Sequence, residues 1–203
     1  NFIFFKTHSA NVSLNNHQYT NEINSLGLIY IVRDPRDIVI SYSKYQNISI
    51  DRATDKITNK AIIEYSGFKN NDKPSSLITN KLPYIMSSWD INFTSWERLD
   101  APKLFIKYED LINDPVNFFS SIVYLLSRYT DIDYDLNKIK KILKVIDFKN
   151  LKKLEEKKGF IESMSGPFFR SGKTNTWQNI LNSDQVKKIE DKFGDVMKEF
   201  GYL

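Results

Sequence analysis

Leu28-Ile29-Tyr30-Ile31-Val32-Arg33-Asp34-Pro35-Arg36-Asp37 is the stretch whose reading decides the fold. Its first five residues are an unbroken run of branched and aromatic side chains, the pattern of a strand covered on both faces. A helix start follows at once. Asp34 is of a type that caps helices, Pro35 suits the first helical position, and Asp37 stands at the capping-box offset. A buried strand running straight into a capped helix predicts an α/β fold with a parallel sheet.

Working outward, Phe2–Phe5 and Leu104–Ile106 carry the same strand signature. The long segments between the three runs are what parallel strands require. Helical patterns are expected over Ala53–Tyr65 and Ile85–Trp96, and again from Asp114-Pro115 through Phe118, Ile122, Leu125 and Leu126. Ile139, Ile142, Leu143 and Ile146 repeat the spacing, and a last helix runs from near Ser183 to Gly201. Trp89 and Trp96, seven apart, share a helix face and read as core. There is no internal repeat, low-complexity linker or domain boundary, so residues 1–203 read as one helix-rich domain.

Composition narrows the function. The 203 residues are 41% hydrophobic and 14% aromatic, which argues against disorder. There is no cysteine, so disulfides, Fe–S clusters and thiol nucleophiles are excluded. The two histidines, His8 and His17, are too few for a histidine-rich metal centre. A formal charge of +4 is too weak to imply nucleic acid and fits an anionic partner. No apolar run approaches the ~20 residues of a membrane span, and no signal peptide is visible, so the expected location is the cytoplasm. The chain starts at Asn1 inside an apolar run, which predicts a natural amino-terminal region ahead of it. Three sequons, at Asn11, Asn47 and Asn92, match the roughly 2.6 that 19 Asn and 28 Ser+Thr produce by chance.

In parallel sheets, ligands sit beyond the carboxyl ends of the strands. Here those ends read Lys6-Thr7-His8-Ser9, Arg33-Asp34 and Lys107-Tyr108-Glu109-Asp110, which together favour an anion. Lys6 and His8, two apart in an extended segment, project to one side and pair a cation with a base. Taken alone, that tripeptide is more often a surface lysine and an ordinary histidine. Arg33 offers a planar fork for phosphate beside a helix amino terminus, and Ser41 lies about two turns in. Gly166 through Thr174 reads G-x5-G-K-T, one residue longer than the ATP phosphate loop and behind a helical segment, so that assignment is rejected. The nine lysines of Lys138–Lys158 keep helical spacing around apolar residues and read as a solvated face.

In order, these pieces resemble one family, the sulfotransferases that use 3′-phosphoadenosine 5′-phosphosulfate (PAPS). Phe5-Lys6-Thr7-His8 is similar to the family's Lys-Thr-His motif. Ile29 through Asp37, with Ser41-Tyr42, is similar to its 3′-phosphate segment, and Ser88-Trp89 with Trp96 to its paired-tryptophan helix. Leu104 through Leu111 with Asp114-Pro115 resembles its Tyr-Glu-Asp strand end, and Phe169-Arg170-Ser171-Gly172 with Trp177 its carboxyl-terminal loop. The resemblance implies a three-layer, P-loop-NTPase-like parallel sheet flanked by helices. It implies His8 as general base and Lys6 as the cation on the sulfuryl group. Arg33 and Ser41, joined by Arg170, Ser171 and Gly172, would bind the 3′-phosphate; Tyr108 and Phe148 would flank the adenine. PAPS would be the donor, PAP its product, and a hydroxyl of a small molecule, lipid or sugar the acceptor, with no metal.

This sequence departs from the family pattern in three places. The phosphosulfate loop and its strand, which precede the Lys-Thr-His motif in the family, are absent. Ser171 replaces a lysine, with Lys173 nearby. Gln178, Asn182, Ser183 and Lys187 stand where the family has its Lys-Thr-Val-Glu dimer segment, so that dimer is not implied and the oligomeric state stays open. Two other readings stand beside the enzyme: a non-catalytic module that binds PAP, and a basic nucleic-acid-binding protein.

Overall fold

The computed structural model describes residues 3–59, 63–65, 83–163 and 166–203. In chain order, a small hairpin (β1, Ser13–Leu14; β2, His17–Gln18) precedes strand β3 (Leu28–Val32) and helices α1 (Pro35–Gln46) and α2 (Ile50–Thr58). A second antiparallel pair (β4, Ile63–Tyr65; β5, Pro83–Ile85) leads to α3 (Trp89–Glu97), strand β6 (Lys103–Lys107) and α4 (Tyr108–Asn113). Then come α5 (Pro115–Ser127), α6 (Leu136–Val145), α7 (Phe148–Lys158), a 3-10 turn (Thr176–Asn179) and α8 (Ser183–Glu199).

The sheet that positions the site is the parallel pair β3–β6, in register from Leu28↔Lys103 to Val32↔Lys107. Gly27 is needed where the two strands enter. A Cβ there would come within 2.9 Å of the Pro102 carbonyl oxygen, which accepts the Leu28 N–H at 2.8 Å. At the other end the register brings Arg33 and Tyr108 out of the sheet side by side. Asp34 caps α1 through Arg36 N at 2.9 Å, with Pro35 in the first turn, and Asn47 closes the helix in the left-handed region.

Val32, Val39, Ala53, Ile57, Trp89, Ile189, Phe193 and Met197 form the buried core that joins β3, α1, α2, α3 and α8. Trp89 and Phe193 meet with ring centroids 5.3 Å apart. Burying each large side chain contributes about 1.5–3 kcal/mol. Helix α8 starts on a full capping box between Asn182 and Gln185. Beyond it, the Tyr202 carbonyl accepts from Arg36 Nη2 at 2.8 Å, and the Tyr202 hydroxyl donates to Glu109 at 2.8 Å. The carboxyl end is thereby tied to the turn after β3 and the start of α4.

Four expectations need correction. Residues 3–5 form no strand: Ile3, Phe4 and Phe5 are exposed, and no strand among the described residues lies beside them to complete a ladder. Phe2 lies outside the described residues. The Ala53–Tyr65 helix is instead Ile50–Thr58, started one turn earlier by the Ser49 side chain capping Arg52 N and ended by extended backbone at Asn59. Residues 63–65 pair with 83–85, which takes 63–65 and Ile85 out of helix and moves the next helix start to Trp89. Finally, Asp37 is no capping-box residue, because its carboxylate is taken by a distant loop. Residues 9–25 contain the β1–β2 hairpin.

Candidate functional site

Arg33 leaves the end of β3 with its guanidinium carbon 4.5 Å from the centroid of the Tyr108 ring, at the end of β6. Its Nη2 donates to Asp37 Oδ2 at 3.3 Å and to the Lys173 carbonyl at 2.9 Å. Its Nε is buried and has no hydrogen-bond partner. An unpaired buried donor on a cation costs about 1–3 kcal/mol or more, and an anion would satisfy it.

The loop at residues 168–177 folds back onto this turn through Asp37. That carboxylate is fully buried and accepts from Asn175 N at 2.7 Å, Thr176 Oγ1 at 2.9 Å and Trp177 N at 3.1 Å. Trp177 lies 3.9 Å under the Arg36 guanidinium, which Asp34 and Glu190 hold. Arg170 reaches α1, where its Nη2 donates to the Ser41 carbonyl at 3.1 Å. Gly172 adopts φ +61°, and a Cβ there would meet the Phe148 ring at 2.8 Å, so glycine is required for both backbone and space. Phe148 also meets Phe169 edge to face, with centroids 6.2 Å apart. Ser171 is exposed; its hydroxyl accepts from Lys173 N at 3.5 Å.

Glu155 of α7 anchors the start of the same loop, accepting from Ser163 Oγ and Phe168 N at 2.6 Å and from Phe169 N at 2.9 Å. Desolvation opposes its charge, but these three bonds and the Arg170 charge hold its carboxyl below the usual carboxylate range.

Lys6 and His8 form a second group. The Lys6 ammonium donates to both oxygens of Glu162 at 2.6 Å. The His8 pKa is lowered from 6.5, first by desolvation and then by the Lys6 charge, with Glu162 pulling the other way. The imidazole is therefore neutral near pH 7, the form that accepts a proton. Helix α3 sets the backbone here. Asn92 Nδ2 donates to the His8 carbonyl at 3.1 Å, buried Trp96 donates Nε1–H to the Ser9 carbonyl at 2.8 Å, and Asn11 N donates to Ser95 Oγ at 2.9 Å.

Arg33, Ser41, Tyr108, Phe148, Arg170 and Gly172 are thus linked by direct contacts or by the 168–173 loop. Lys6 and His8 join them through Glu162, one residue from Ser163, which Glu155 holds. Surface hollows between α2 and α8 (Asn59, Lys188, Asp191) and beside α5 (Leu104, Tyr124, Tyr129) are lined by other residues. No group of His, Asp and Glu among the described residues is arranged to hold a metal. Sequence reasoning missed Asp37, Glu155 and Glu162. Only Asp37 carried a signal, since an acid beside Arg33 and four residues on is placed to pair with it.

The family profile described as sulfotransferase domain matches residues 2–201, and the chain belongs to that family. It is 24% identical over 193 residues to cytosolic sulfotransferase 17 of Arabidopsis thaliana, covering 87% of this chain and 51% of that protein. Flavonol 3-sulfotransferase of Flaveria bidentis is 25% identical over 175 residues, with 80% of this chain and 52% of that protein covered. Among solved structures, mouse sulfotransferase SULT7A1 complexed with PAP matches with a TM-score of 0.59 at 22% identity, over 86% of this chain and 59% of that one. That likeness shows the α/β fold. The chain spans about half the length of the curated relatives it matches.

Proposed function

We propose that residues 1–203 are part of a single cytoplasmic sulfotransferase domain that binds PAPS and moves its sulfuryl group to a hydroxyl of a small-molecule acceptor. The observation that carries this reading is the docking of the 168–177 loop on the turn after β3 and on α1, which ties Arg33 to the Lys173 carbonyl and Arg170 to the Ser41 carbonyl. The residues suit the nucleotide: the orphaned Nε of Arg33 asks for an anion, and Gly172 leaves no room for a side chain beside the Phe148 ring.

In this reading Arg33, fixed by Asp37 and stacked on Tyr108, meets the 3′-phosphate together with Arg170, Ser41 and the backbone of Ser171 and Gly172. Phe148 borders the base. PAPS supplies an activated sulfuryl group, and the task left to the protein is alignment and charge neutralisation. His8, neutral near pH 7, takes the acceptor's proton at one of its ring nitrogens. Lys6, held by Glu162, turns to the transferring oxygens.

The name of the Flaveria bidentis relative makes flavonols the first acceptors to try. The test is sulfuryl transfer from PAPS to a panel of flavonols and simple phenols. Turnover that falls about 10²–10⁴-fold in His8→Ala supports the reading; undiminished turnover removes His8 from the mechanism. PAP binding with no transfer to any acceptor would favour the non-catalytic module.

A further inference from the structure

Residues 138–158 contain nine lysines, where the chain-wide lysine frequency predicts about 2.4 in 21 residues. Compositional bias therefore does not account for the cluster. All nine are exposed, and among the described residues none forms an ion pair. Of the four acids in and beside this stretch, Glu156 is exposed among the lysines and the other three are engaged. Asp135 and Asp147 cap α6 and α7, and Glu155 holds the 168–169 backbone.

The face is not purely charged. Ile142, Val145 and Ile146 are 47%, 69% and 36% exposed at the end of α6, and Leu154 is 49% exposed on α7. The spacing of Ile142, Val145 and Ile146 makes them neighbours on one side. Ile139, one turn earlier on the same helix, is buried, and α6 packs against α5. An exposed aliphatic ridge flanked by unpaired lysines is the makeup of a helix that lies in a lipid interface.

We propose that the α6–α7 face docks on an anionic lipid surface, with the lysines among the headgroups and the Ile142–Val145–Ile146 ridge at the acyl boundary. Clustered lysines are drawn to anionic leaflets, and aliphatic side chains gain by entering the boundary layer. A nucleic acid fits less well. Single strands stack on aromatic platforms and use arginine planes, whereas this face offers lysines and aliphatics, and its one aromatic ring, Phe148, is packed on Phe169 beside Gly172. The proposal does not depend on the sulfotransferase reading.

The test is co-sedimentation of the intact chain with phosphatidylcholine vesicles, with and without about 30% phosphatidylserine. Binding is expected only with phosphatidylserine, weakened roughly tenfold or more in high salt. Combined Lys141→Glu, Lys144→Glu and Lys152→Glu should abolish it, and Val145→Ser should weaken it severalfold, with unchanged circular dichroism for both. Equal binding to neutral vesicles, none to anionic ones, or wild-type binding by the triple variant would overturn the proposal. So would full binding by Val145→Ser, or displacement of the vesicles by equimolar poly(U) or polyglutamate.

Discussion

Arg33 and Tyr108 are 75 residues apart, yet the guanidinium carbon of one lies 4.5 Å from the ring centroid of the other. The sheet causes this, because Val32 and Lys107 are the last register pair and the next residue of each strand carries the side chain. The cation is thus held on an aromatic face, with Asp37 on one edge and the Lys173 carbonyl beside it. Of its five N–H donors, the buried Nε–H is left without a partner.

Gly172→Ala should disturb this site from the other side. The new methyl would meet the Phe148 ring at 2.8 Å and hold an alanine at φ +61°. Strain of about 1–3 kcal/mol is expected, released by displacing the loop. A lowered melting temperature together with roughly tenfold weaker PAP binding by calorimetry is the expected result. Unchanged values in both would show that the contact is slack.

Asp37→Ala removes the carboxylate that three loop donors and Arg33 share. Two backbone N–H groups would lose their acceptor, and the partly buried guanidinium would lose its counter-charge. A loss of about 3 kcal/mol in urea unfolding is expected. Hydrogen exchange at Asn175 and Trp177 should accelerate beyond the global change, since the loop undocks first.

The histidines give a direct readout of electrostatics, because only His8 and His17 contribute imidazole signals in NMR. His8 should titrate below 6.5. Lys6→Gln removes a repulsive cation and should raise that pKa; Glu162→Gln removes an attractive anion and should lower it further. If His8 is the base, the acid limb of the transfer rate moves with these shifts. The folded state binds fewer protons at His8 than the unfolded one between the lowered pKa and 6.5. Stability from this group therefore declines as pH falls from 6.5 through the folded-state value.

The β3–α1 unit was legible because its signals are local: an apolar run, a capping acid and a proline at the first turn. Helices α5 and α8 were legible from spacing and their end signals, and α6 from spacing alone, for the same reason. The Phe2–Phe5 run was misread because a strand exists only through its neighbours, and apolar content does not reveal whether one is present. Residues 63–65 and Ile85 continue helical patterns in isolation, and the pairing of 63–65 with 83–85 is one that no periodicity reports. At the candidate site, the residues with family-like spacing stand out in the sequence, whereas Glu155 and Glu162 do not. Their partners are backbone groups and a lysine more than a hundred residues away, and a carboxylate on a lysine-rich helix or loop looks like ordinary surface charge.

The most direct measurement of the central claim is calorimetric titration of PAP into this chain and into Arg33→Ala, Arg170→Ala and the double variant. The account predicts saturable binding by the wild type, a loss of about tenfold or more in each single variant, as for a charge-assisted contact, and none detectable in the double. Absence of binding by the wild type, or retained affinity in the double variant, would contradict it.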